Sequence, residues 1–249
     1  MTASLSSTFD HARLSPSERQ IMKAVRAHPG IARAALPSWL DLAQQSVHRI
    51  VERLRDQDLL RLAPLGTTKP GKPSPGVWLR ETSAYAFGVT INTDSVVLAL
   101  LDLGGNLIEQ RHFRTEPLSR DKTLTTLQSE MTDILRHQKI DRSIIVGAGI
   151  AIGGYFYGEN RERICTTEPL RDWSFIPLVP LLQEALNLNV VVANNARTSA
   201  CGERLRGVCR NYDTFAYLHF HFVFGPVIVI DRRPYLGPLG NTGENGIVY

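Results

Sequence analysis

Residues 40–54, LDLAQQSVHRIVERL, decide the fold of the first part of the chain. The apolar residues in this stretch recur at steps of three and four, which is the spacing of one face of a helix. That face consists of Val47, Ile50, Val51 and Leu54. The residues left largely on other faces are Gln44, Gln45, His48, Arg49 and Arg53. The stretch therefore predicts an amphipathic helix with a buried apolar stripe.

Two shorter helices are predicted before this one. Residues 15–18, SPSE, are typical of a helix start, and this first helix is expected to run to about His28. A second short helix is expected over residues 32–39, despite Pro37, and a turn follows near Asp41. Three short helices in this order are the core of a helix-turn-helix unit.

The polar residues are crowded at the N-terminal part of the third helix, as the reading of a DNA major groove requires. Glutamine pairs with adenine and arginine with guanine through two hydrogen bonds, and a helix N-terminus favours a nearby phosphate. An ordinary solvated helix face has the same pattern, so the helix alone leaves both interpretations open. The side chains of this helix expected to contact DNA are Gln44, Gln45, Ser46, His48, Arg49 and Arg53.

A loop rich in glycine, proline and lysine follows between two short apolar segments. Strands are predicted over residues 59–62 and 77–80 on either side of this loop. The arrangement predicts a wing, in which Lys69 and Lys72 would contact phosphates or the minor groove. A linker can share the loop's composition, but linkers seldom lie between two apolar strands. Residues 1–80 are therefore predicted to form a winged helix-turn-helix domain.

The basic residues are concentrated in the same part of the chain. Residues 1–80 contain twelve Lys and Arg against six Asp and Glu, a net charge of +6. The remaining residues contain sixteen against eighteen, a net charge of −2. This asymmetry favours a polyanionic partner for the first domain.

Beyond residue 84 the pattern changes to longer elements. Strands are expected over residues 85–91, 95–103, 107–113, 144–152, 190–193, 215–222 and 227–230. Helices are expected over residues 121–137, 177–186 and 196–205. Three consecutive strands, a helix and a buried strand are the opening of an actin-like lobe of the sugar-kinase type.

Several short motifs resemble one family along nearly the whole chain. They are residues 40–51, Gly71-Lys72-Pro73, residues 149–154 (GIAIGG), residues 194–196 (NNA) leading to 200–203, and residues 240–244 (GNTGE). Together they resemble the ROK family of bacterial repressors and sugar kinases, and specifically its repressor branch. The resemblance implies an α/β fold, with the winged helix-turn-helix followed over residues 84–249 by a truncated actin-like, ribonuclease H-like domain of the ATPase type.

The resemblance also assigns sugar-binding residues, and these are Gly153, Gly154, Asn194, Asn195 and Glu244. Family kinases carry an aspartate base where this chain has Asn195, whose amide cannot usefully take up a proton. At the hairpins of residues 90–94 and 219–225, other residues replace most of the glycines that let a backbone approach phosphate in the family kinases. No catalytic residue, no enzyme activity and no cofactor are therefore predicted.

Two further departures concern the end of the chain. Ile247 stands where the resemblance implies a histidine that binds sugar and zinc. The chain ends at Tyr249, before the family's Cys-rich zinc loop, so the incomplete lobe is expected to expose apolar surface and to form a homo-oligomer. His219 and His221, two apart on a predicted strand, are followed by no third ligand at suitable spacing, so no metal site is predicted.

The composition and the N-terminal sequence indicate where in the cell the protein is expected. No apolar run approaches the roughly 18 residues of a membrane span, and the N-terminus lacks the apolar core of a signal peptide, so a cytoplasmic protein without a membrane partner is expected. Cys165, Cys201 and Cys209 match neither a disulfide framework nor a zinc-ligand pair, and reduced thiols are expected.

The sequence thus favours a DNA-binding regulator that represses sugar-metabolism genes. Its expected partners are a double-stranded DNA operator and a sugar or sugar derivative that binds the kinase-like domain. A sugar kinase that phosphorylates hexoses with ATP is the first alternative. The second alternative is a regulator whose degenerate domain binds no ligand and only dimerises.

Overall fold

Ser15 starts the first helix through reciprocal hydrogen bonds with Glu18. In the computed structural model, which describes residues 14–65, 74–114, 119–220, 224–238 and 240–243, helix α1 spans Pro16–Ala27. The Glu18 amide donates to Ser15 Oγ at 3.3 Å, and the Ser15 amide donates to Glu18 Oε2 at 2.7 Å. These bonds form a capping box that satisfies two amides at the helix start. The predicted start and the end near His28 are confirmed.

The second helix is shorter than predicted. Ile31–Ala32 form strand β1, Arg33–Ala35 form a 3-10 turn, and helix α2 covers only Leu36–Leu40. The prediction of a helix from residue 32 was wrong at its start, because Ala32 pairs with Gly76 of a neighbouring strand. The predicted turn is present, with Asp41 in the left-handed conformation at a φ of 51°.

The third helix, α3 (Gln44–Asp56), has the predicted apolar stripe. Its four members, Val47, Ile50, Val51 and Leu54, are all buried. They belong to one core cluster with Ile21 and Val25 of α1 and Leu36 of α2. Burying an aliphatic side chain of this size contributes about 1.5–3 kcal/mol, so this stripe stabilises the three-helix arrangement.

A small antiparallel sheet follows the helices. Strands β2 (Leu60–Ala63) and β3 (Gly76–Leu79) pair with each other, and β1 pairs with the other edge of β3. The two predicted strands are confirmed to within one residue, which is the usual uncertainty of an element boundary. Of the loop that joins them, residues 66–73 lie outside the described residues.

The chain divides into two compact units. The first takes residues up to Ala86 together with Leu101–Ile108 and Asp141–Val146, and the second takes the remainder. The domain boundary between residues 80 and 84 stays a prediction.

The elements that follow β3 agree closely with the predicted order. The next strands are β4 (Tyr85–Ile91), β5 (Val96–Asp102), β6 (Leu107–Phe113), β7 (Ile145–Ile152), β8 (Tyr155–Tyr157), β9 (Arg163–Cys165) and β10 (Val190–Asn194). The helices are α4 (Arg120–Gln138), α5 (Leu178–Leu186) and α6 (Asn195–Arg206). The β8–β9 hairpin was not predicted, because its strands of three residues are too short to show a period.

One sheet of five strands organises these elements, in the order β10-β7-β4-β5-β6. The buried strand β7 runs parallel to β10, and Ile152 pairs with Asn194 at the end of the two strands. This register places the loop after β7 beside the start of α6, because parallel strands end at the same edge of a sheet.

A second sheet lies at the end of the described chain and consists of β11 (Phe215–Phe220), β12 (Phe224–Ile230) and β13 (Arg233–Pro234). Val227 and Val229 on its inner face pack with Ala196 and Ala200 of α6. The exposed apolar residues on its outer face are Leu218, Phe220, Phe224, Ile228 and Ile230. Within the described residues, no helix combines the length and the apolar character of a membrane span.

Candidate functional site

The outward face of α3 carries the polar side chains that the sequence singled out. Gln44, Gln45, His48 and Arg49 are exposed, and Ser46 is half-buried. Because the buried stripe fixes the rotation of the helix, this polar surface must point away from the core. The structure therefore presents the predicted groups together on one accessible surface.

The start of α3 also leaves its first amides without a side-chain cap. The residue before the helix is Ala43, which has no polar side chain, and no side-chain hydrogen bond caps this end. Uncapped amides and the positive end of the helix dipole favour an anion at this position. The glutamines at the first two helical positions flank these amides.

Glu52 contacts three basic side chains near this surface, those of Arg33, His48 and Arg55. Arg33 Nη1 lies 2.8 Å from Glu52 Oε1, and His48 Nδ1 lies 4.0 Å from the same oxygen. Arg49 differs, because it has no ion-pair partner in the part of the chain that the structure describes. Within that part of the chain, no carboxylate therefore occupies its guanidinium.

Arg53 has a structural contact that sequence reasoning missed. Its Nη2 lies 2.5 Å from Oε1 of Glu18, whose side chain is only 3% exposed. Burial alone would raise the pKa of the Glu18 carboxyl, but hydrogen bonds from the Ser15 backbone and hydroxyl, together with the Arg53 guanidinium, lower it below its ordinary value of 4.5. Arg53 therefore joins α3 to the start of α1.

The predicted wing residues Lys69 and Lys72 lie outside the described residues. At the base of that loop, the Arg61 guanidinium stacks over the Trp78 ring, 4.7 Å from its centroid. The same ring covers Gly30 and Gly76, where a Cβ would come within 3.0 Å and 2.5 Å of it respectively. The two strands that carry the loop are thus fixed by an aromatic contact at their base.

The second unit brings together four of the five residues that the resemblance assigned to sugar binding. Gly153 and Gly154 directly follow β7, Asn194 ends β10, and Asn195 begins α6. A Cβ built on Gly153 would lie 3.4 Å from Asn195 Nδ2, so the asparagine amide lies over this glycine. The fifth residue, Glu244, lies outside the described residues.

A closed ring of hydrogen bonds surrounds this position. The side-chain Nδ2 of Asn194 donates to the Gly154 carbonyl at 3.4 Å, and Asn194 Oδ1 accepts from the Arg197 backbone amide at 3.2 Å. The Arg197 guanidinium donates to the Gly240 carbonyl at 2.6 Å. We call this set of contacts the amide ring, and the next residue along the chain, Asn241, completes it.

Asn241 closes the amide ring through two hydrogen bonds with the backbone of Phe156. The Phe156 amide donates to Asn241 Oδ1 at 3.0 Å, and Asn241 Nδ2 donates to the Phe156 carbonyl at 2.7 Å. Arg161 also donates to Asn241 Oδ1 at 3.3 Å. The segment before Glu244 is thereby tied to the β8–β9 hairpin.

Sequence reasoning missed Arg161, Arg197 and Asn241 as parts of this site. Asn241 stands inside the quoted GNTGE motif, so its position beside Glu244 was the one available signal. The two arginines are separated from that motif by more than forty residues and belong to no periodic pattern. Only the fold brings them together.

Asn195 places a neutral side-chain amide beside Gly153. Asn195 Oδ1 accepts a hydrogen bond from the Ala196 backbone at 2.8 Å, and its Nδ2 lies toward Gly153. An amide in this position can donate a hydrogen bond to a sugar hydroxyl but is no general base.

The two histidines considered as metal ligands are His219 and His221, and His221 lies outside the described residues. The residues that the structure does describe contain no cluster of three metal-ligating side chains.

Gly154→Ala is expected to destabilise the protein by at least about 2 kcal/mol. Gly154 has a φ of 145°, and a Cβ there would lie 2.6 Å from the Cys165 backbone oxygen. The measurement is the free energy of unfolding in urea. Gly149→Ala is the matched control, since a Cβ on Gly149 meets nothing within 4 Å, and it should be neutral. Equal stability of the two variants would contradict the close packing of this loop.

The fold and the site define a mixed α/β protein built on the sugar-kinase type of lobe, with an amide-rich site after the buried strand β7. The ROK family model matches residues 86–249, which contain this sheet and this site. The chain belongs to the ROK family.

The chain is similar to curated and solved members of that family. A xylose repressor from Bacillus spizizenii is 24% identical over 230 residues, which cover 92% of this chain and 59% of the repressor. The crystal structure of a ROK family transcriptional regulator, a homolog of the Escherichia coli MLC protein, aligns with a TM-score of 0.72 at 22% identity. That alignment covers 91% of this chain and 57% of the regulator.

A ROK family kinase shares the fold as well. The glucokinase from Streptomyces griseus, solved in complex with glucose and AMPPNP, aligns with a TM-score of 0.57 at 22% identity. The alignment covers 66% of this chain and 50% of the glucokinase. The chain thus spans little more than half the length of the relatives that it matches.

Proposed function

We propose that the chain is a sugar-responsive transcriptional repressor that binds a double-stranded DNA operator through its first unit. The exposed polar face of α3, with Gln44, Gln45, His48 and Arg49 opposite the buried stripe, carries the proposal. The xylose repressor aligns with 92% of the chain, and its name supports the same class of function.

The first unit has the elements that a winged helix-turn-helix needs. Helices α2 and α3 are joined by a short turn at Asp41, and β2 and β3 follow α3 and complete a three-stranded sheet with β1. In this proposal α3 lies in the major groove, and Lys69 and Lys72, in the loop between β2 and β3, contact the backbone or the minor groove. Ser46 and Arg53 contribute phosphate contacts beside the reading residues.

The second unit serves as the effector-binding body. Gly153, Gly154, Asn194, Asn195 and Glu244 bind a sugar in this proposal, and the amide at Asn195 leaves that sugar without the base needed for phosphorylation. Sugar binding without phosphoryl transfer is what a sensor requires, since the bound ligand must persist to change DNA affinity.

Self-association would suit a DNA-binding protein of this type. Phe220 and Ile228 on the outer face of the β11–β12 sheet are 75% and 44% exposed, which supports an interface there. A dimer with two-fold symmetry would bind an operator with two half-sites.

The test is a mobility-shift titration over a salt series, using fragments upstream of the protein's own gene. Two phosphate contacts alone would lower the affinity about tenfold between about 50 and about 200 mM salt. Lys72→Ala should weaken binding to specific and random fragments alike. Affinity that does not fall with salt, or no binding to any upstream fragment, would overturn the proposed function.

A further inference from the structure

Arg161 occupies an unusual place in the second unit. It lies in the turn between β8 and β9 with a φ of 55°, a conformation that residues other than glycine and asparagine seldom adopt. Its amide donates to the Gly158 carbonyl at 3.2 Å, which closes the turn. A long charged side chain is thus kept where a small residue would be less strained.

The guanidinium of Arg161 turns toward the amide ring. Its Nη2 donates to Asn241 Oδ1 at 3.3 Å, and its central carbon lies 5.7 Å from the centroid of the Phe156 ring. Gly240 leaves room for it, since a Cβ there would lie 2.1 Å from Arg161 Nη1. The positive charge therefore lies against the segment 240–241, which the Arg197 guanidinium holds from the other side.

Among the residues that the structure describes, no carboxylate neutralises this charge. Glu162 is the adjacent acid, but it accepts from the Asn160 amide at 3.0 Å and lies 3.7 Å from Arg163. Across the described ranges, Arg161 makes no ion pair within 4.0 Å, and its Nε is buried without a hydrogen-bond partner. A buried donor without a partner is unfavourable, and an anion bound by the guanidinium would satisfy it.

Four of the five residues proposed to bind the sugar, Gly153, Gly154, Asn194 and Asn195, are uncharged, and the fifth, Glu244, lies outside the described residues. Asn195 carries a neutral amide, and an amide does not repel an anion as a carboxylate would. A guanidinium presents two parallel donors that match the oxygens of a phosphate or a carboxylate. The donors of Arg161 and the neutral Asn195 therefore favour a ligand that joins a sugar ring to an acidic group.

We propose that the effector is an anionic sugar, either a sugar phosphate or a sugar acid, whose acidic group is bound by Arg161. This inference rests on the proposed function in one respect, the binding of a sugar at Gly153, Gly154, Asn194 and Asn195. It does not depend on DNA binding.

The test compares neutral and anionic forms of the same sugar by titration calorimetry on the 249-residue chain. The pairs are glucose with glucose 6-phosphate and glucuronate, xylose with xylonate, and N-acetylglucosamine with its 6-phosphate. At least one anionic form should bind with an affinity about ten times that of its neutral partner or higher, and that affinity should fall as the salt concentration rises. Preference for the phosphate or for the carboxylate form identifies which acid the site takes.

Variants assign the preference to Arg161. Arg161→Gln should bring the affinity for the anionic form down to that for the neutral form, and Arg161→Lys should keep part of the difference. Arg163→Gln is the matched control, because Arg163 is exposed on the same hairpin and paired with Glu162, and it should leave the preference intact.

Three results would overturn the inference. They are equal binding of neutral and anionic forms, a preference that survives Arg161→Gln, and binding of inorganic phosphate alone as tightly as the sugar phosphate. Mobility shifts with the same preparations separate this inference from the proposed function. If an anionic sugar binds but DNA does not, the inference stands and the proposed repressor function is overturned. If DNA binds and the protein prefers neutral sugars, the proposed function stands and the inference is overturned.

Discussion

Arg49→Ala is expected to weaken operator binding about 10- to 100-fold while changing binding to random DNA much less. The expected loss is that of one bidentate contact to guanine, about 1–3 kcal/mol. Arg49 suits this role because it is exposed on the polar face of α3 and makes no ion pair in the described part of the chain, so the substitution breaks no ion pair within the protein. The measurement is a pair of mobility-shift titrations, one with the operator and one with random DNA, at equal salt.

Arg55→Ala supplies the matched control for Arg49→Ala. Arg55 lies on the same helix and carries the same charge, but it is paired with Asp56 and with Glu52 near the C-terminal end. Its removal should lower the affinity for both DNAs slightly and equally. An equal loss from Arg49→Ala on operator and random DNA would show that Arg49 binds phosphate and that sequence is read elsewhere.

Glu18→Ala is expected to destabilise the first unit by about 2–3 kcal/mol, a large part of the stability of a small unit. The substitution removes the capping box with Ser15, worth about 1 kcal/mol, and the buried partner of Arg53. The exposed part of Arg53 keeps the loss below that of a fully buried ion pair, because water can solvate the guanidinium left behind.

The loss can be measured by urea unfolding, followed by the fluorescence of Trp39 and Trp78, which both lie in the first unit. Glu18→Gln keeps the size and loses the charge, and it should cost about half as much. Asp56→Asn is the control, since its pair with Arg55 is exposed and should be worth less than about 1 kcal/mol. Equal effects of Glu18→Ala and Asp56→Asn would show that the contact between α1 and α3 adds nothing.

The helices and strands with strong periodic patterns were predictable, and the weak ones were not. The stripe of α3 and the capping residues of α1 determine their helices locally, so both were confirmed. Strand β1 was missed because Ile31–Ala32 forms only by pairing with β3, a contact more than forty residues away. The same cause hid the Glu18–Arg53 pair, because each residue alone has the pattern of a solvent-exposed charge.

The candidate sugar site was predictable only where a motif carried it. Gly153, Gly154, Asn194 and Asn195 were found by resemblance, and the register of β7 with β10 explains why they lie together. Arg161, Arg197 and Asn241 were not found, because their contacts depend on the path of the β8–β9 hairpin and of the segment before Glu244. The assignment of DNA contacts and of sugar contacts to these residues stays a prediction.

The amide ring around Gly154 also determines how the site responds to acidity. Its side-chain members are asparagines and an arginine, and the remaining members are backbone groups. None of these gains or loses a proton between mildly acidic and strongly alkaline solution. The ring therefore keeps the same donors and acceptors over that whole span. A pH dependence of ligand binding would come from other groups, such as the Glu244 carboxyl of the proposed site or an ionisable group of the ligand.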